Sequence, residues 1–410
     1  MNDASIERCH LTHLECSLTG DVYPAHSRAG LSAAGRPLLV RYDLSAVARA
    51  LTKDALNGRP ADMWRWRELL PVRRTENIVS LGEITTPLLE SPRFARRIGA
   101  PGPLLIKDEG RLPTGSFKSR GLSVAVSMAK ELGVTRAVIP TAGNAGAAFA
   151  AYCARAGIES FVFCPDDAPE STIAEASLFT PHVWRVNGLI TDLAPLIQGG
   201  KRILEWYDMS TLKEPYRLEG KKTMGFELAE QFGWELPDFI FYPTGGGTGL
   251  IGMWKAFDEL EAIGWIGSKR PRMVAVQSRT CAPIVRAFQA GHSEAAPWED
   301  GFTEVPGVRV PWTVGDRLIL QVLRESEGFA IAVDDGAVAQ ARIELAASDG
   351  INLCPEGAAT LVAYRECVRR GDIPDGACAV LFNCASGLKN PVPAPTRHID
   401  RHHAVDYSRL

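Results

Sequence analysis

Several things are missing from this 410-residue chain, and each absence removes a class of function. Charge of one sign is not in excess: 45 Lys and Arg against 48 Asp and Glu leave a net charge of -3, which offers no general attraction to nucleic acid or to an anionic membrane. No apolar run reaches the length of a bilayer span. The stretch from Met1 to Cys16 is polar and has no apolar core, so no secretory signal is read there. Nine cysteines stand singly at 9, 16, 153, 164, 281, 354, 367, 378 and 384. That odd, dispersed set argues against a disulfide framework and favours a cytoplasmic location. No internal repeat is visible. What remains, 46% apolar and 23% charged residues, is ordinary for a globular protein. The length suffices for one large or two medium domains.

The chain opens with Cys9-His10-Leu11-Thr12-His13-Leu14-Glu15-Cys16. Cys9, His10, His13 and Cys16 are of metal-ligand type, but zinc ribbons bring two separated pairs and no second pair follows. A small metal-free ribbon over residues 1–45 is the expectation, its last strand near Leu38-Leu39-Val40-Arg41-Tyr42-Asp43. Residues 46–100 read as mainly helical and linking, with Trp64 and Trp66 as packing residues. From Leu104 on, short apolar runs alternate with helical stretches: strands are expected around 104–109, 137–140, 161–165, 182–186, 238–243, 273–277, 331–333 and 379–383. Such alternation implies an α/β fold with parallel sheet covered by helices on both faces. Met209 to Thr223 reads as a polar loop ahead of a helix at Met224–Phe232. Residues 293–316, rich in Pro, Gly and Trp and without a period, read as a surface loop or partner contact. The segment Pro391–Leu410, with three Pro and three His, reads as a peripheral tail.

Three loops carry the chemistry. In Pro113-Thr114-Gly115-Ser116-Phe117-Lys118-Ser119-Arg120-Gly121, a lysine lies between a glycine turn and an apolar helix. The positive end of a helix dipole disfavours an ammonium and favours a neutral amine or a nearby anion. A neutral amine is what Schiff-base chemistry with an aldehyde requires. An ordinary surface lysine near a helix start is the other reading. In Thr244-Gly245-Gly246-Gly247-Thr248-Gly249, between a strand and a helix, backbone amides and threonine hydroxyls form a phosphate cradle. A nucleotide P-loop would add Lys-Ser/Thr, and a dinucleotide site would end the next strand in an acid. Here that strand ends in Gln277. A small cofactor phosphate fits better, against the alternative of a tight turn without ligand. In Thr141-Ala142-Gly143-Asn144-Ala145-Gly146, free amides suit a carboxylate and Asn144 suits a phenolic oxygen.

In this order, the three loops resemble those of fold type II enzymes that use pyridoxal 5′-phosphate (PLP), and most closely the threonine synthase family. The resemblance runs from about residue 5 to 390 and includes Gly115-Ser116-Phe117-Lys118, Pro215-Tyr216-Arg217-Leu218-Glu219-Gly220-Lys221-Lys222-Thr223 and Ser386-Gly387-Leu388-Lys389. It implies a two-lobed, tryptophan synthase β-like fold: a large PLP-binding lobe from 46–120 and 216–390, and a small mobile lobe from 121–215. It also implies a homodimer and conversion of O-phospho-L-homoserine to threonine. Lys118 would bond the cofactor aldehyde and shuttle protons, with Phe117 beside it. Asn144 would hold the ring hydroxyl, and Thr141, Ala142, Gly143, Asn144 and Ala145 the substrate carboxylate. Gly245, Gly246, Gly247, Thr248 and Gly249 would hold the cofactor phosphate. Arg217 would clamp the substrate phosphate within a loop made basic by Lys213, Lys221 and Lys222. Cys384 would face the ring nitrogen, where a neutral group leaves that nitrogen unprotonated. A small buried core residue is the alternative reading of Cys384.

The chain departs from the family pattern at three places. Ser119 follows the lysine where an Asp is common, Thr211-Leu212 stands for an Asn-Ser pair, and Cys384 replaces Thr. These changes touch the substrate more than the cofactor. They keep open a PLP-dependent ammonia-lyase acting on threonine, serine or a diamino acid, and a non-catalytic PLP-fold protein.

Overall fold

Short apolar runs between turns become strands here, and where both faces are covered the runs are apolar throughout. The computed structural model describes residues 9–188, 190–392, 399, 402 and 408. The first eight residues of the expected ribbon, and all of the expected tail except 391, 392, 399, 402 and 408, lie outside the described residues. The strands in chain order are β1 Leu11–Cys16, β2 Val22–Pro24, β3 Leu38–Tyr42, β4 Leu88–Glu90, β5 Leu104–Asp108, β6 Arg136–Pro140, β7 Glu159–Pro165, β8 Val183–Val186 and β9 Tyr207–Asp208. They continue with β10 Phe239–Pro243, β11 Arg272–Ser278, β12 Phe329–Val333 and β13 Ala379–Asn383.

Three sheets result. The N-terminal ribbon is antiparallel in the order β2-β1-β3, and it packs Leu14, Leu38 and Val40 inward. Its cysteines are engaged elsewhere: Cys9 Sγ donates to the Pro71 carbonyl at 3.4 Å and Cys16 Sγ to Ser32 Oγ at 3.1 Å. The large lobe carries a sheet in the order β12-β11-β10-β13-β5-β4, parallel except for the edge strand β4. Its central strands β10 and β13 are buried along their whole length. The small lobe carries the parallel sheet β8-β7-β6-β9. This is the α/β architecture expected from the alternation of strands and helices, arranged in the two lobes that the family resemblance implies.

Three sequence expectations are corrected. Residues 46–100 are less helical than expected: beside the helices Leu44–Ala50 and Pro92–Ile98 they hold short 3-10 turns and β4. Asp62, Arg59 and Glu68 bind backbone and one another there, holding irregular chain around the buried Trp66. The helix expected at 224 begins at Tyr216, so half of the expected polar loop is helix. Its charges misled because they are paired inside the protein. Lys222 Nζ meets Glu219 at 2.6 Å and Glu259 at 2.8 Å, and Lys255 closes the group. Residues 293–316 are a surface loop only in part: most of 293–302 is exposed and irregular as expected, but Thr303, Val305 and Val308 are buried, and residues from Pro306 to Val314 line the central cavity.

The helix Lys118–Glu131 crosses the helix Tyr216–Gln231 at very short range. A Cβ at Gly220 would lie 2.0 Å from the Arg120 carbonyl oxygen, so only glycine permits the crossing. Beneath it lies a fully buried ion cluster. Arg120 binds Glu109 at 2.6 Å and Glu227 at 2.6 Å, and Lys107 Nζ binds Glu227 at 2.8 Å. Burial would raise the Glu227 carboxyl, but Arg120 and Lys107 outweigh it and hold the group at about 2. Removing one partner leaves charge uncompensated in the core. Arg120→Met is therefore expected to cost ~3–5 kcal/mol. Arg136→Ala, which breaks an exposed pair with Glu159, is expected to cost under ~1 kcal/mol. Urea unfolding midpoints compare the two, and equal shifts would count against a stabilising role for the buried cluster.

Candidate active site

Four strands deliver the candidate residues from their C-terminal ends, where open α/β sheets form a crevice. The end of β5 leads into the lysine loop, β6 into Thr141–Gly146, β10 into Thr244–Gly249 and β13 into Cys384. These loops surround a cavity of about 340 Å³ between the sheets. Lys118, Asn144, Arg217, Gly245 and Cys384 all lie on its wall.

Lys118 is the first residue of its helix. Two contacts fix the turn before it: Phe117 N–H donates to the Cys384 carbonyl at 2.9 Å, and Ser116 bridges to Ala385. Lys118 Nζ lies 4.2 Å from the centre of the Phe117 ring. Burial, and then the nearby Arg217 cation, lower its pKa to about 8. Lys221 is a second amine close by, 3.9 Å from the same ring centre and hydrogen-bonded to the Phe117 carbonyl. It is 1% exposed and does not line the cavity.

Asn144 opens the helix Asn144–Ala156, and its Oδ1 is buried with no hydrogen-bond partner. Ala142, Gly143 and Ala145 line the cavity beside it. Thr141 Oγ1 braces the loop by pairing with Gly143 at 3.1 Å. Across the cavity, Gly247 precedes the helix Thr248–Ala262 with φ +76, a conformation that favours glycine and turns the following amides inward. Gly245, Gly246, Gly247 and Thr248 line the wall, whereas Gly249 lies behind it, packed on Tyr242. Thr244 is likewise turned away, donating to the Tyr242 carbonyl at 2.9 Å. Gln277 secures this loop: its Nε2 donates to the Thr244 carbonyl at 3.0 Å while its Oε1 caps Ile284 N–H.

Arg217 stands at the second residue of its helix, capped by Glu214, which accepts from the Tyr216 and Arg217 amides. Its guanidinium donates to the Met209 carbonyl at 2.8 Å and contacts Thr211 Oγ1 at 3.4 Å, leaving Nε buried without a partner. Burial lowers its pKa from the ordinary arginine value, opposed by Glu214 and Asp208. The cavity wall also carries Lys213, Arg309 and Thr313, together with Glu356, the one carboxylate there among the described residues. Sequence reasoning missed Arg309 and Thr313 because their segment has no period, and Glu356 because a glutamate at a helix start carries no site signal of its own. Two ion pairs bridge the lobes near the cleft, Arg309 to Asp167 at 2.6 Å and Lys389 to Glu175.

The departures separate by position. Ser119 points away from the cavity, its Oγ donating to the Pro113 carbonyl and contacting Thr114 Oγ1 at 3.2 Å. Leu212 is a buried packing residue. Only Thr211 and Cys384 reach the wall.

The family model for pyridoxal-phosphate dependent enzymes matches residues 79–385. The chain is 31% identical over 377 residues to a threonine synthase of Methanocaldococcus jannaschii, covering 92% of each chain. It is 33% identical over 387 residues to that of Methanosarcina acetivorans, covering 93% of this chain and 92% of the relative. Among solved structures, maize serine racemase superposes with a TM-score of 0.62 at 20% identity, over 74% of this chain and 88% of that one. Diaminopropionate ammonia lyase of Escherichia coli gives 0.63 at 16% identity, over 75% and 85%. The cavity suits such a cofactor. It offers inward amides at a glycine loop, a buried Asn oxygen lacking a partner, and an amine of lowered pKa on three of its walls. With that fit, the family match and the two-lobed fold, the chain belongs to the fold type II family of PLP-dependent enzymes.

Proposed function

We propose that this enzyme is a threonine synthase, converting O-phospho-L-homoserine and water to L-threonine and phosphate. The observation that carries the reading is Arg217. It is a buried guanidinium on the cavity wall with its Nε unpartnered. A buried arginine with spare donors is costly unless an anion completes it, and the guanidinium fork matches phosphate. Lys213 adds positive charge to the same wall, where Glu356 is the one carboxylate among the described residues, while Arg309 is already paired with Asp167. An amino acid with a neutral side chain would leave Arg217 and Lys213 without a substrate anion. The two relatives at 31% and 33% identity, both threonine synthases, support the same substrate.

When bound, the cofactor supplies an aldehyde for covalent attachment and an electron sink next to the substrate α-carbon. Lys118 would attach it and, once released, carry protons between the substrate carbons, a task suited to an amine near neutrality. Gly245, Gly246, Gly247 and Thr248 would hold the cofactor phosphate on backbone amides, with Gly249 setting their spacing from behind. Asn144 would orient the ring through its hydroxyl, and Thr141 to Ala145 would receive the substrate carboxylate. Phe117 would pack beside the ring, with Cys384 at its far edge. Arg217 would hold the substrate phosphate and orient it as the leaving group. The small lobe, from about 121 to 215, would close on the large one and exclude water until the β-carbon is ready for it.

A second reading, β-elimination from threonine, serine or a diamino acid, draws on Cys384, a departure that reaches the wall and would face the cofactor ring. It gives Arg217 no partner, which is why it ranks second.

PLP-loaded enzyme is expected to release phosphate from O-phospho-L-homoserine with stoichiometric threonine. Keto acid and ammonia from threonine or serine, without phosphate release, would replace this reading by the second. Arg217→Ala is expected to lower kcat/KM for the phosphorylated substrate by about 10²–10³-fold. Unchanged kcat/KM in that variant would remove the clamp. The cofactor step has its own pH signature. Because the neutral amine is the form that attacks, and burial lowers the Lys118 pKa to about 8, PLP uptake by apoenzyme should accelerate as pH rises and level off near that value. A rate still climbing at pH ~10 would indicate an ordinary lysine.

A further inference from the structure

Among the described residues, Glu356 is the one carboxylate on the cavity wall. It is the second residue of the helix Pro355–Arg370 and is 7% exposed. Its Oε1 accepts the Gly307 amide at 2.7 Å, while its Oε2 is buried and has no hydrogen-bond partner. The turn that carries it is tied to the turn that carries Cys384. Cys354 N–H donates to Asn383 Oδ1 at 2.9 Å, Leu353 bridges to Ser386, and Asn383 Nδ2 donates to Asp108 at 2.8 Å. Glu356 lies close enough to act electrostatically on both Cys384 and Lys118.

The cofactor ring has four directions to satisfy. With its aldehyde toward Lys118, its phosphate toward the glycine loop and its hydroxyl toward Asn144, the ring nitrogen is left for the wall formed by Cys384 and Glu356. We propose that the unpartnered Oε2 of Glu356 accepts a hydrogen bond from the ring N–H, so that this enzyme holds the cofactor's pyridine nitrogen protonated although its neighbour Cys384 is a neutral thiol. The proton comes from solvent when the cofactor binds.

Two influences compete at that nitrogen. A thiol is a weak donor and would favour the unprotonated ring only slightly. A full negative charge in a site of low polarity favours the pyridinium by much more, raising its pKa by about one to three units. The other groups facing Glu356 do not cancel this. Arg342 is committed to the carbonyls of Leu353, Gly387 and Asn390. Burial, and then the Glu356 carboxyl itself, keep the Cys354 thiol protonated as a weak donor beside that carboxyl, and burial keeps the Cys384 thiol protonated. Lys118 is consumed by attachment to the aldehyde. The inference thus reverses the unprotonated nitrogen expected from Cys384 alone. It rests on the cofactor and holds for either substrate reading.

The test is the nitrogen NMR shift of enzyme loaded with PLP labelled with nitrogen-15 in the ring, read across pH. The wild type is expected to show a protonated ring nitrogen near pH ~7.5, and Glu356→Gln with PLP still bound to show an apparent pKa lower by about one to three units. Cys384→Ala should keep the protonated signal. An unprotonated nitrogen in the wild type overturns the proposal, as does an unshifted titration in Glu356→Gln or loss of protonation in Cys384→Ala. Should Glu356→Gln fail to take up PLP, the wild-type and Cys384→Ala spectra decide.

Discussion

The buried cluster of Arg120, Glu109, Glu227 and Lys107 is the constraint on which the site depends. Arg120 lies two residues past Lys118, Glu109 at the end of β5, and Glu227 in the helix that presents Arg217. One set of ion pairs therefore sets the distance between the candidate cofactor lysine and the candidate substrate arginine. Buried charges accept few alternative arrangements, because each displaced partner leaves another unpaired in a medium of low polarity. The glycine crossing at Gly220 acts in the same direction, removing the side-chain volume that would push the two helices apart. Precision at the site thus comes from electrostatics and close packing below it.

Above that base the cavity wall carries two kinds of anion-binding group. The glycine-loop backbone and a buried asparagine suit a phosphate and a phenolic oxygen. Arg217 and Lys213 suit an anionic substrate group. On the same wall, burial and Arg217 lower the Lys118 pKa to about 8. The same arginine would therefore serve two ends. Its charge favours the anion and also lowers the pKa of the amine that must attack the aldehyde.

The three loops were legible in the sequence because glycine spacing, strand ends and helix starts are local signals. Lys118, Asn144 and Gly245 were found that way, and the structure brings them to one cavity. Signals that depend on tertiary pairing were not legible. Tyr216–Thr223 read as a polar loop because Glu219, Lys221 and Lys222 look solvated until Lys255, Glu259 and the Phe117 carbonyl are placed against them. Residues 293–316 lack a period because they run as irregular chain whose later part packs against the cavity rather than on a sheet or helix face, so Arg309 and Thr313 went unseen. Ser119, a departure in sequence, turned out to brace the lysine loop without reaching the cavity.

Lys118 as the cofactor lysine is the central claim, and the structure sets a close rival beside it. Lys221 is an amine of lowered pKa against the same phenylalanine ring, separated from Lys118 by its exclusion from the cavity. The decisive measurement is borohydride reduction of the PLP-loaded enzyme followed by mass-spectrometric mapping of the modified peptide. The expected result is a single phosphopyridoxyl group on Lys118. Attachment to Lys221, or to any other lysine, would contradict the assignment of the cavity.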